Sequence, residues 1–158
     1  MKIITDKKKL DKPCEPCTSI KEGLKIGNKL LKYLKEHENG VGLAANQVGI
    51  NKRVCVVNVD KPMILVNPKI IGKFKKIQFL EACLSFPGSY IVTDRYENIA
   101  VNADNHERTL IFGAENLLKT VCVQHEIDHL NGFTMFDRQS KGERYGDQQQ
   151  KSERFDTN

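Results

Sequence analysis

Tryptophan is absent from the 158-residue chain, and aromatic residues make up only 7% of it. A core must therefore come mainly from aliphatic side chains, and the 39% hydrophobic content suffices for one soluble globule. Long apolar runs are missing as well. The longest aliphatic stretch, Met63-Ile64-Leu65-Val66, is far shorter than the roughly 20 residues of a membrane-spanning helix. The Lys-rich N-terminus has no apolar segment behind it, which predicts neither a secretion signal nor a transit peptide. A large charge of one sign is also missing. Lys plus Arg exceed Asp plus Glu by 25 to 20, and a surplus of +5 spread along the chain points to solubility more than to a nucleic-acid grip. At about 100 to 200 residues per domain, the length leaves no room for a second catalytic module.

What is present begins with five cysteines, an odd number at irregular spacing. Without a secretion signal they read as reduced thiols, one or more available to bind metal or react. Cys14-Glu-Pro-Cys17 is a lone CxxC with no second pair downstream, and reads as surface or half-buried thiols in an irregular, solvated N-terminal arm of 17 residues.

From Ser19 the apolar residues Ile20, Leu24, Leu30, Leu31 and Leu34 fall at helical spacing, with Ser19 and Glu22 placed as a capping box. A helix of about 18 residues ending near Asn39-Gly40 is predicted. The small-residue run Gly40 to Gly49 follows a helix instead of a strand and lacks Lys-Ser/Thr, so it is no phosphate loop; something else must approach this backbone closely. Short β-branched runs then occupy 53–59, 64–67, 70–74, 77–80, 90–93, 99–101 and 109–112, the last two pairing across the turn Asp104-Asn105-His106. Gly113 to Asn116 opens a second helix, apolar all round and therefore buried, which stops at Asn131-Gly132. Residues 1–137 form the predicted domain, and 138–158 a polar tail, frayed or disordered.

Inside the buried helix stands His125-Glu126-Ile127-Asp128-His129. Spacing of i, i+4 puts both imidazoles on one face one turn apart, fit to chelate one divalent cation, with Glu126 able to face a water. Two core histidines without a metal would leave several buried polar groups unpaired, each at a cost of a few kcal/mol, about what a metal offsets. A catalytic site needs a third ligand. Cys122 lies about 10 Å from His129 along the helix axis, too far to share one ion with both histidines. Cys83, Cys55, the CxxC pair, His106 and His37 remain, and spacing does not choose among them. Cys83 is the most suggestive because its segment sits where a strand run meets a turn. A thiolate with two imidazoles suits Zn²⁺ or Fe²⁺.

Three segments together carry a family resemblance. Gly40-Val-Gly-Leu-Ala-Ala-Asn-Gln47 resembles GxGLAAxQ, Glu81-Ala-Cys-Leu-Ser85 resembles EGCLS, and Gln124-His-Glu-Ile-Asp-His129 resembles QHExDH. These are the signatures of peptide deformylase in their usual order, over a span from about residue 20 to 136, and as a set they are highly specific. The resemblance implies an α+β fold with antiparallel or mixed β-sheets around the buried helix that carries HExxH. It implies a metal-dependent hydrolase that removes the N-formyl group from the formylmethionine of newly made polypeptides.

Carried over residue by residue, the resemblance assigns the metal to Cys83, His125 and His129. Fe²⁺ becomes the expected ion, with Zn²⁺, Ni²⁺ or Co²⁺ able to substitute. Glu126 becomes general base and then general acid, while the Gln47 amide and the Leu84 backbone N–H become oxyanion donors. Gly40, Val41 and Gly42 would bind the substrate backbone as an added strand. Glu81 is placed beside the substrate, and Val41, Phe79, Leu118, Val121 and Cys122 are expected to form the methionine pocket. Asp128 and Arg95 look like supports of the ligands, joined by a salt bridge. The implied partners are a formylated nascent peptide and, transiently, a ribosome. No specific nucleic-acid sequence, no membrane and a monomeric state are expected, in a cytoplasmic setting inside a bacterium, with a virus-encoded minimal version compatible with the short chain. Ala82 stands where the family usually has Gly. Tyr90 stands where many bacterial members have an arginine that contacts the peptide. The polar tail does not resemble the long amphipathic C-terminal helix of many bacterial members.

Two other functions fit parts of the pattern. An HExxH endopeptidase would share the metal chemistry but commonly needs a longer cleft, and would cleave unformylated casein. A catalytically silent metal- or peptide-binding protein would need neither Glu126 nor Gln47.

Overall fold

The computed structural model describes residues 1–141. Its elements in chain order are α1 (Lys7–Leu10), α2 (Ile20–Leu34), β1 (Gly42–Ala44), β2 (Val54–Val59), β3 (Lys61–Val66), β4 (Lys69–Glu81), β5 (Ile91–Asn102), β6 (Leu110–Phe112) and α3 (Leu117–Leu130). Short 3-10 turns at Ala45–Val48, Ala114–Asn116 and Met135–Arg138 complete the set.

Two three-stranded antiparallel sheets form, ordered β1-β2-β3 and β4-β5-β6. Helix α3 lies between them. Its Cys122, Val123, Ile127 and Leu130 share one apolar cluster with Cys55 and Val57 of β2 and with Ile99 and Val101 of β5. Contact on opposite sides explains why its apolar residues surround the axis: from Thr120 to Leu130 no side of the helix is left for water. The other face of the first sheet is covered by α2, through Leu30, Leu34, Val54, Val56 and Val66. Close packing there depends on missing side chains, since a Cβ on Gly23 or Gly27 would fall 2.4 Å from Val66 or Ile64. The α+β architecture inferred from the sequence is the one observed.

The Ser19 hydroxyl accepts from the Glu22 amide at 3.1 Å, as the capping pattern predicts. The Glu22 carboxylate reaches back to the Thr18 amide, one residue earlier than a standard box, at 2.7 Å. The helix ends at Leu34 and not near Asn39, because His37 and Gly40 turn the chain with bonds to Leu34 and His37 carbonyls. The runs at 70–74 and 77–80 belong to one strand, β4, and those at 90–93 and 99–101 to one strand, β5. Lys75, with φ 64°, interrupts the β4 pattern without ending its pairing to β5. The hairpin of β5 with β6 is present.

The N-terminal arm departs from its solvated expectation. Leu10 is fully buried, Cys14 and Cys17 are buried, and the arm is bonded along its length to the body. Ile4 N–H donates to the Gln47 carbonyl at 2.7 Å, Cys14 N–H to the Leu130 carbonyl at 2.8 Å, and the Glu15 carbonyl accepts from Arg53 N–H at 2.8 Å. At the other end, the residues just past 137 are bonded to the second sheet. Gln139 bridges to Thr93, and Ser140 bonds to the Val92 carbonyl and to Gln78. The rest of the predicted tail, 142–158, lies outside the described residues.

Candidate active site

The C-terminal half of α3 carries His125 and Glu126 into a cleft of about 440 Å³ whose walls come from every chain segment named by the three motifs. Helical periodicity stacks the two imidazoles, with their Nε2 atoms 3.2 Å apart. Cys83, in the turn just after β4, brings its Sγ within 3.5 Å of His129 Nε2. Among the described residues, Cys83, His125 and His129 form a group whose ligand atoms all lie within 4.8 Å of one another. The other cysteines and histidines weighed for the third position are elsewhere: Cys55 is buried in β2, His37 bonds the Tyr33 carbonyl, and His106 bonds the Ile64 carbonyl.

The donor set fits a metal ion. Cys83 Sγ, His125 Nε2 and His129 Nε2 converge on one point, and the buried Glu126 Oε1 beside them has no hydrogen-bond partner, a costly arrangement in the interior. Burial, reinforced by the charge of His125, pushes the His129 pKa well below its ordinary value, which keeps a nitrogen lone pair available.

His125 is held in orientation by Glu81, whose Oε1 accepts from Nδ1 at 2.7 Å. Glu81 also receives Arg95 Nη2 at 2.8 Å and the Thr93 hydroxyl. Arg95 continues to Asp128, and Arg138 closes the chain onto Asp128 with contacts of 2.9 and 3.0 Å. The expected salt bridge between Arg95 and Asp128 is therefore formed. Burial would raise the Glu81 carboxyl, but hydrogen bonds and charge from Arg95 and His125 outweigh it and hold the group well below the usual carboxylate range. Glu81 borders the cleft, and its carboxylate is hydrogen-bonded to His125, Arg95 and Thr93.

Glu126 has no such cation in contact. Burial pushes its carboxyl up to about 7, with His125 opposing the rise. Gln47 sits opposite, in the 3-10 turn after β1. Its Oε1 accepts from the Ala44 amide at 2.9 Å, which leaves Nε2 aimed at Ser85 Oγ, 3.1 Å away, and Cys83 Sγ, 3.5 Å away.

The glycine-rich segment now has its physical reason. A Cβ on Gly42 would lie 2.6 Å from both Cys122 Sγ and Glu126 Oε2, so α3 approaches the backbone only because that residue has no side chain. β1 is the edge strand of its sheet, paired to β2 on one side. The cleft is bordered by Gly40, Val41 and Gly42, with Leu84, Phe79, Leu118, Val121 and Cys122 also on its walls. His129 alone of the assigned residues lies beneath it, fully buried. Residues missed from the sequence are the rim at 86–89, Ser85 as the partner of Gln47, and the Thr93 and Arg138 ends of the ion chain. Ser85 stood inside a motif already in view; the others carry no local signal.

A thiol and two imidazoles at one point, a buried glutamate beside them and an amide donor opposite define a hydrolase that works with a metal ion. Residues 1–145 match the family described as Polypeptide deformylase, and the chain belongs to that family, whose members remove the N-formyl group from nascent polypeptides. A peptide deformylase of Hydrogenovibrio crunogenus is 41% identical over 133 residues, covering 80% of this chain and 78% of the relative. A solved structure of a probable peptide deformylase from Synechococcus phage S-SSM7 superposes with a TM-score of 0.77 at 34% identity, covering 87% of this chain and 99% of that one. The peptide deformylase of Synechococcus elongatus, solved in complex with actinonin, gives a TM-score of 0.79 at 31% identity, with 96% and 85% covered.

Proposed function

We propose that Cys83, His125 and His129 hold the metal ion, Fe²⁺ in the working enzyme with Zn²⁺, Ni²⁺ or Co²⁺ able to substitute, and that Glu126 and Gln47 act directly on the formyl group. The observation that carries this reading is the convergence in one cleft of the Cys83 thiol, the Gln47 amide nitrogen 3.5 Å from it, and the unpartnered Glu126 oxygen. A divalent cation held there supplies Lewis acidity toward the formyl carbonyl and the attacking water.

The chain's own groups do the rest. Glu126 Oε1 takes a proton from the attacking water as oxygen bonds to the formyl carbon, and the carbonyl oxygen gains negative charge. Gln47 Nε2 and the Leu84 backbone N–H donate to that oxygen; Gln47 is held ready because Ala44 N–H fixes the other end of its amide. Glu126 then returns the proton to the departing nitrogen as the C–N bond breaks, releasing formate and a free amine. The substrate backbone adds to the free edge of β1 at Gly40, Val41 and Gly42, a mode that reads no side chain beyond the first residue. Val41, Phe79, Leu118, Val121 and Cys122 receive the methionine side chain. The enzyme works as a monomer in the cytoplasm of a bacterium, or of a bacterium hosting a virus that encodes it, on chains leaving the ribosome; no helix among the described residues is long and apolar enough to cross a membrane.

The test is release of formate from a formyl-Met peptide by protein prepared without oxygen and loaded with ferrous iron. Turnover with retention of an unformylated peptide supports the reading. No turnover, or cleavage of unformylated casein instead, overturns it.

A further inference from the structure

The outer face of α2 takes no part in the cleft, and it is lined with lysine. Lys21, Lys25, Lys29 and Lys32, with Lys35 at the helix cap, are all exposed. At 3.6 residues per turn the five fall within about 120° of arc, and those four residues apart are about 6 Å apart along the axis. The opposite face, with Gly23, Gly27, Leu30 and Leu34, is buried against the first sheet, so the direction of the lysine face is fixed by packing. Countercharges are missing. Glu22 is bonded to Thr18 and paired with Lys52 at 3.4 Å, while Glu36 and Glu38 lie beyond the helix end. Among the described residues none of the five lysines takes part in a salt bridge. Like charges four residues apart oppose helix formation, so the stripe works against the element that carries it.

We propose that this face docks the phosphate backbone of RNA, holding the enzyme beside the RNA-rich machinery that makes its nascent substrate; the inference rests on the deformylase reading above. Three observations favour this occupant. All five cations are lysines, point charges that meet phosphates without reading bases, and no arginine stands among them to add a bidentate fork. A membrane would need the apolar face of the helix to insert, but that face is buried, and Ile20 is the one large hydrophobic of α2 that is exposed among the described residues. The stripe also ends near the chemistry, because the chain leaving α2 reaches Asn39 and Gly40, which border the cleft.

The experiment is binding of the full chain to a fluorescein-labelled RNA hairpin, followed by anisotropy between about 50 and 200 mM salt. In the comparison variant Lys21, Lys25, Lys29, Lys32 and Lys35 are all replaced by Gln. Release of counterions from up to five phosphate contacts predicts that the slope of log Kobs against log salt flattens by about 4, with affinity at least about tenfold weaker. Replacement of the five by Arg should preserve binding, and the variant Lys7→Gln, Lys8→Gln, Lys9→Gln should keep most of the slope. An unchanged slope in the five-Gln variant, the same loss per charge in the N-terminal variant, or capture by phosphatidylserine vesicles in place of RNA overturns the proposal. Formate release from a formyl-Met tripeptide, measured in parallel, should be equal in wild type and five-Gln variant. Its absence in both sinks the deformylase reading, while the salt slope judges the docking face separately.

Discussion

His125 Nδ1 and Glu81 Oε1 lie 2.7 Å apart across 44 residues of sequence, and through this contact the second sheet decides how a ligand imidazole on α3 is turned. With Nδ1–H committed to a carboxylate, Nε2 is the ring nitrogen left to face His129. Arg95 keeps that carboxylate ionised in the interior, and Asp128 keeps Arg95 neutralised. The metal-ligand helix and the β4-β5 hairpin are in this way a single electrostatic unit.

Removing Glu81 tests the unit. Glu81→Ala leaves Arg95 buried with only Asp128, and a loss of about 3 to 5 kcal/mol in urea-unfolding stability is expected. Glu81→Gln keeps the volume and should weaken metal binding by about 10- to 100-fold, read by chelator competition.

The two sides of the reaction separate in a pair of variants. Glu126→Ala should retain the metal and lose about 10²- to 10⁴-fold in kcat, whereas Cys83→Ala should lose or weaken the metal by elemental analysis. Full activity in Glu126→Ala would show that another group moves the proton.

Gly42→Ala should be damaging out of proportion to one methyl group. The added carbon would meet Cys122 and Glu126, and α3 and β1 can separate only by disturbing the cleft. Expected are a fall in kcat/KM of at least about tenfold and a loss of about 1 to 3 kcal/mol in stability, the usual range for overpacking. Gly72→Ala, whose Cβ would meet Ala100 at an ordinary 3.7 Å, serves as the control.

Alkaline pH should destabilise the fold through the docked arm. Burial raises the Cys14 thiol from 9.0 to about 11, against a smaller opposing effect of Arg53. The folded state thus holds the proton more tightly than the unfolded one. Stability from this thiol is complete below pH 9.0 and is lost as pH climbs from there through about 11. Urea midpoints measured across that window should fall more steeply for wild type than for Cys14→Ala.

Much of the site was legible because its signals are local. Two histidines four apart on a helix share a face in any fold, and Ser19 caps α2 within three residues of itself. β1 was not legible: Gly-Leu-Ala has poor strand propensity, and it is a strand because β2 supplies its hydrogen-bond partners. Nor could an exposed-looking arm rich in lysine announce that Leu10, Cys14 and Cys17 are buried, since the groups that cover and bond them lie far along the chain, as Leu130 and Asn67 do. The long strands β4 and β5 looked like four, because charged residues in the middle of each break the apolar pattern without breaking the backbone pairing: Lys73, Lys75 and Lys76 of β4 are exposed, whereas Arg95 of β5 is buried in ion pairs with Glu81 and Asp128.

By itself the sequence determined the chemistry on offer: a metal-binding helix turn, a glutamate beside it, a glutamine among glycines, and five thiols of which one falls in a motif. Residue type and short-range periodicity suffice for those. Only the tertiary structure decided that Cys83, and not Cys55 or the Cys14–Cys17 pair, stands 3.5 Å from His129, that Gly42 is small because Glu126 needs its space, and that Glu81 bonds His125. Each of these is a contact between segments distant in sequence, set by two sheets closing on one helix, and no local pattern carries that information.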